Sequence, residues 1–117
     1  MISSFYKFTV DLKLVALYPM NARYQARSVQ ADAPDGVISN VDCNVDSSSP
    51  LGGSCAFKGL PNSYIEIPNQ ENGKLDLKGS MTLLAFISAE SPGPLFVYGA
   101  NVWGVYWWIV DDLDIYI

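Results

Sequence analysis

The chain has 117 residues, enough for one domain that buries roughly 60–70% of the surface its unfolded form exposes. Half of its residues are apolar and 16% are charged, which excludes intrinsic disorder. Twelve carboxylates against seven Lys and Arg give a net charge of −5, and no basic cluster is present that could neutralise successive phosphates, so nucleic acid is not an expected partner.

The amino terminus alternates Phe8, Val10, Leu12 and Leu14 with Lys7, Thr9, Asp11 and Lys13, the period-2 pattern of a half-buried strand. It lacks the basic n-region and small-residue cleavage site of a secretory signal. Leu14 to Tyr18 continues the apolar run, and Pro19 stops it because proline cannot donate to a ladder. From Asn21 to Gly53 the composition turns to Asn, Asp, Ser, Gly and Pro, which predicts mostly loop, with Gly36 to Val41 as an edge strand.

Within that stretch Cys43 and Cys55 bracket a flexible segment. In an oxidising compartment they would close a disulfide loop, and in the cytosol they would be two buried thiols; the spacing favours the disulfide and an extracellular setting.

Further strands are expected at Cys55–Phe57 and Ser63–Ile67, with a short bridge at Leu75–Leu77. Ser80 to Ser88 is apolar on both parities, as in a strand at the centre of a sandwich. Leu95–Tyr98 and Val102–Val110 read as a hairpin about Gly99–Asn101. Asp111 and Asp112 would turn the chain into Leu113–Ile117. The apolar run Val102–Val110 is far short of the roughly 20 residues that span a bilayer, so no transmembrane segment is expected. No segment of ten or more residues has helical spacing, and the expected class is all-β.

Taken in order, these pieces resemble the laminin-G-like branch of the concanavalin A-like lectin and glucanase superfamily. The resemblance rests on Leu14-Val-Ala-Leu-Tyr-Pro-Met-Asn21, Gly52-Gly-Ser-Cys-Ala-Phe-Lys-Gly59, Asn62-Ser-Tyr-Ile-Glu-Ile-Pro68, Gly79 to Ile87, Gly93 to Tyr98 and Trp103 to Trp108. It departs from the family at Phe86, where tryptophan is usual. The resemblance spans roughly residues 12–117 and implies an antiparallel β-sandwich (jelly roll), with residues 1–117 expected to form a single domain. It also implies further strands beyond Ile117, so the domain is expected to be partial, with strand edges open to pairing.

Glucanases of this superfamily place two carboxylates about 5–5.5 Å apart. The three glutamates Glu66, Glu71 and Glu90 are scattered, and the position two residues after Glu66 is Pro68, so one strand face cannot supply the pair. The chain has no histidine and no Gly-x-Ser-x-Gly elbow. Catalysis is therefore not expected.

Asp111, Asp112 and Asp114 form the densest acidic group, and such hard oxygen donors suit Ca²⁺, an ion that laminin-G-like domains often bind. The same aspartates also serve as ordinary turn residues. Parity places Trp103, Val105, Trp107 and Ile109 on one strand face and Tyr106 and Trp108 on the other. The first face reads as core. The second is either covered by another sheet or an open aromatic platform for a sugar ring or a protein anchor.

The expected function is that of a non-catalytic extracellular or cell-surface module binding a glycan or a protein. The alternative is an incomplete fragment that acts as a structural or assembly element.

Overall fold

The computed structural model describes residues 14–71, 73, 75–100, 103–110 and 115–116. Among them every regular element is a strand and every pairing is antiparallel. The chain divides into two compact units between Leu83 and Leu84.

In the first unit the strands are β1 (Val37–Ser39), β2 (Val41–Val45), β3 (Ser54–Phe57) and β4 (Tyr64–Glu66). They are nested: β2 pairs with β3, and β1 pairs with β4 outside them. Asn40, with φ 50°, separates β1 from β2, a conformation that asparagine tolerates better than most residues. The break is held by side chains. Ser63 Oγ donates to Asn40 O at 2.9 Å and accepts from Lys58 N at 2.8 Å, and Ser39 Oγ donates to Asn62 O at 2.7 Å. Polar side chains thus clamp one pair of strands to the next.

Cys43 and Cys55 are joined by a disulfide. They lie between the register partners Asp42↔Ala56 and Val45↔Ser54, where the pairing shifts. The segment from Asp46 to Gly53 closes this hairpin, and its last residue is buried. Gly53 has φ 130°, and a Cβ there would lie 3.3 Å from Asn21 Cβ and from Val45 O, so both its backbone conformation and its neighbours favour glycine.

Residues 21–36 are irregular yet closely tied. Ala26, Ala33 and Pro34 are buried, Gly36 N donates to Ala26 O at 2.7 Å, and Val29 N donates to Leu17 O at 2.8 Å. A Cβ on Gly36 would lie 2.9 Å from Ile65 Cγ2, 3.0 Å from Ala26 Cβ and 3.2 Å from Ala26 O. Gly36→Ala is accordingly expected to lower stability by about 1–3 kcal/mol through overpacking. Urea unfolding of the variant measures this, and wild-type stability would mean that Ile65 gives way at no cost.

The second unit contains β5 (Gly93–Ala100), β6 (Trp103–Ile109) and β7 (Ile115–Tyr116), in the order β5-β6-β7. Its hairpin register runs from Ala100↔Trp103 to Gly93↔Ile109, with a shift between Pro94 and Phe96. That irregularity absorbs one residue, so Pro94 and Val97 both oppose the Tyr106 and Trp108 side of β6.

Three expectations need correction. Leu14 to Tyr18 is not a strand: Leu17 is instead tied through its backbone to Val29 and to Ser28 Oγ. Leu75–Leu77 is a turn and coil segment, not a bridge. Ser80 to Ser88 forms no strand, and Leu84 and Phe86 are 64% and 51% exposed. Alternation and β-branched or aromatic content describe fitness for a pleated surface, but a strand exists only where a second strand accepts its backbone bonds. The strand expected over residues 8–14 falls outside the described residues, apart from Leu14.

Candidate functional site

The two faces of the β5–β6 hairpin differ in the way their side chains are covered. On one face Phe96 and Trp107 are register partners, with ring centroids 6.2 Å apart and planes inclined at 56°. Such a tilted pair contributes about 0.5–1.5 kcal/mol beyond its area. Ile109, on the same side of β6, is buried. On the opposite face Tyr106 pairs with Val97 and Trp108 with Pro94. Val97 is 53% exposed and Trp108 47%, while Tyr106 is half-buried. The structure thus brings Tyr106 and Trp108 together with Pro94 and Val97, two neighbours that the parity of β6 alone does not identify.

Asp111, Asp112 and Asp114 lie outside the described residues. Three carboxylates are a donor set that fits a hard cation such as Ca²⁺. Among the described residues no group of three or more His, Cys, Asp or Glu is gathered in a way that could hold a metal ion. Also among the described residues, no helix is long and apolar enough to cross a membrane.

A second candidate site, without a motif in the sequence, lies in the first unit. An open pocket of about 250 Å³ is lined by Arg23, Tyr24, Arg27, Ser28 and Asp35. It sits on the turn that follows Asn21. Asn21 is 8% exposed; its Oδ1 accepts from Tyr24 N at 2.9 Å and its Nδ2 donates to Leu51 O at 2.7 Å. Gln25 N donates to Asn21 O at 2.7 Å, and Gln25 itself has φ 54°. These bonds fix one tight turn and place Arg23 and Arg27, four residues apart, at the same pocket.

Arg27 is oriented by its own turn: Nη2 donates to Arg23 O at 2.6 Å and Nε to Tyr24 O at 3.3 Å. The Arg23 guanidinium lies over the Tyr24 ring, 5.5 Å from its centroid, within reach of a cation–π attraction. Ser28 Oγ accepts from Leu17 N and Gln30 N at 3.3 and 3.0 Å. Next to Asp35 in sequence, Pro34 accepts through its O from Tyr18 Oη at 2.6 Å. Burial, and secondarily the Asp35 carboxylate, push the Tyr18 hydroxyl above its ordinary pKa.

The one available sequence signal was the placement of both arginines of the chain four residues apart directly after Asn21. Comparison of the chain with family models, with curated proteins and with solved structures returns no match in any of the three.

Proposed function

We propose that the chain is a non-catalytic, extracellular recognition module of laminin-G-like, β-sandwich type, which binds a glycan or protein ligand through the Tyr106 and Trp108 face of its β5–β6 hairpin. The observation that carries this reading is the joint exposure of Val97 and Trp108 on one face, opposite the face that holds the Phe96–Trp107 pair. An aromatic surface with a phenol and an indole N–H suits stacking on a sugar ring and equally suits anchoring a protein. The Cys43–Cys55 bond supports an oxidising compartment. Ca²⁺ at Asp111, Asp112 and Asp114 belongs to the same proposal.

A glycan array, run with Ca²⁺ and with chelator, tests the reading and separates a sugar ligand from a protein one. For a ligand so found, Trp108→Ala is expected to weaken binding about 30-fold or more, the loss typical of an aromatic anchor, and Tyr106→Ala to weaken it less. Unchanged binding by both variants would remove the platform from consideration.

A second reading, an assembly element that pairs with another chain, is favoured by the exposure of Leu84, Phe86 and Ile87 in a segment without charged residues. It predicts concentration-dependent association in size-exclusion chromatography that Phe86→Lys abolishes.

A further inference from the structure

We propose that the pocket formed by Arg23, Tyr24, Arg27, Ser28 and Asp35 is a binding site for a monoanionic oxyanion group, either a carboxylate or a sulfate monoester. The proposal rests on the first unit alone, so it stands or falls independently of the aromatic face of the hairpin.

Three observations carry it. First, both arginines of a chain with net charge −5 line one cavity of about 250 Å³, large enough for one such group and a few attached atoms. An acidic protein repels anions at long range, so any anion site must be a local concentration of donors such as this.

Second, the donors are held in place before a ligand arrives. Arg27 makes two bonds to backbone carbonyls of its own turn, at 2.6 and 3.3 Å, which use two of its five N–H donors and orient the fork. Arg23 is laid over Tyr24. Beneath them the turn is anchored by the buried Asn21, which bonds Tyr24 N and Leu51 O. A guanidinium fixed in this way loses less freedom on binding than one on a freely moving side chain.

Third, the lining selects among anions by charge. Asp35 shares the pocket with the two guanidiniums, so the lining carries one net positive charge. A monoanion is matched by it. A phosphate monoester, close to a dianion at neutral pH, is opposed by the Asp35 carboxylate. Arginine forks fit both planar carboxylates and tetrahedral oxyanions.

The test is a titration of the full chain, followed by the amide and arginine Nε–H signals in ¹H–¹⁵N spectra at constant ionic strength. Acetate and methyl sulfate are the two probes, with chloride and inorganic phosphate as comparisons. The expected result is saturable movement of the Arg27 Nε–H and Tyr24 amide signals with at least one of the two probes, with Kd on the order of millimolar for so exposed a site. The tighter probe identifies the source class.

Arg23→Ala is expected to weaken this binding at least about 3-fold, as is Arg27→Lys, which keeps the charge and loses the fork. Among the described residues Arg23 donates no side-chain hydrogen bond to the turn, so its variant guards against the case in which Arg27→Lys loosens the fold. Asp35→Asn is expected to tighten binding by about 2-fold to 5-fold and to improve phosphate most. Movement that chloride reproduces, movement that never saturates, retention of wild-type affinity by both arginine variants, or tighter binding of phosphate than of both probes would each overturn the proposal.

Discussion

Reduction of the Cys43–Cys55 bond is expected to lower the stability of the chain by about 3 kcal/mol, the loop-closure entropy that a cross-link of this span removes from the unfolded ensemble. The two cysteines are 12 residues apart in sequence, and Cys43 is 1% exposed. The effect is large because, among the described residues of the first unit, few large apolar side chains are buried. Beside Cys43, the buried positions described there include the small or rigid residues Ala26, Ala33 and Pro34. A structure with few large buried side chains has little apolar area with which to offset chain entropy, and a cross-link supplies what the core does not.

Urea unfolding of the oxidised chain, the reduced chain and a Cys43→Ala/Cys55→Ala double variant measures the effect. The reduced form and the double variant should agree within about 1 kcal/mol, the margin left by the small volume lost at Cys43. Equal midpoints for oxidised and reduced protein would mean that the β2–β3 pair closes as readily without the bond.

Asn21→Ala is the second large change, expected to cost about 2–3 kcal/mol. One buried side chain serves both directions at once, accepting from Tyr24 N and donating to Leu51 O. Each bond contributes about 0.5–1.5 kcal/mol net, and its loss leaves a partner group in a site poorly reached by water. Gly53 packs directly against Asn21, so the same side chain also seats the end of the β2–β3 hairpin loop. Asn21→Asp separates the two roles: it keeps the acceptor for Tyr24 N but sets a carboxylate oxygen against Leu51 O, and should cost at least as much as the alanine variant. The two variants are compared with wild type by urea unfolding. A loss below about 0.5 kcal/mol in both would place Asn21 among ordinary turn residues.

The loss at Asn21 also bears on the arginine pocket. Its turn sets the positions of Arg23 and Arg27, so a destabilised but folded Asn21→Ala chain should bind the acetate or methyl sulfate probe less tightly.

Local pattern was enough where a run of strand-forming residues is bounded by turn residues. Val37–Ser39, Ser54–Phe57, Tyr64–Glu66 and the long β5–β6 hairpin lie where β-branched and aromatic runs end at Gly, Pro or Asn, because turn chemistry and side-chain alternation are properties of a few neighbouring residues. The spacing of Cys43 and Cys55 likewise marked them for the pairing they form. The sequence also placed Tyr106 and Trp108 on the face opposite Trp107 and Ile109, because strand parity depends on nothing beyond the strand itself.

Tertiary structure decided the rest. Ser80 to Ser88 is an apolar run three times the length of β1, yet β1 is paired with β4 and Ser80 to Ser88 has no strand; backbone bonding needs a second strand at the right distance, and composition carries no record of one. Val41–Val45, within a stretch that reads as mostly loop, became β2 because β3 returns beside it and the disulfide closes across the pair. Val97 joined Tyr106 and Trp108 only through the register and its shift near Pro94. Arg23 and Arg27 became one pocket with Asp35 because Asn21 reaches across 30 residues to Leu51 and Gly36 returns to Ala26. Such contacts are set by the path of the whole chain, whereas the sequence by itself determined the local periodicity and turns from which that path is assembled.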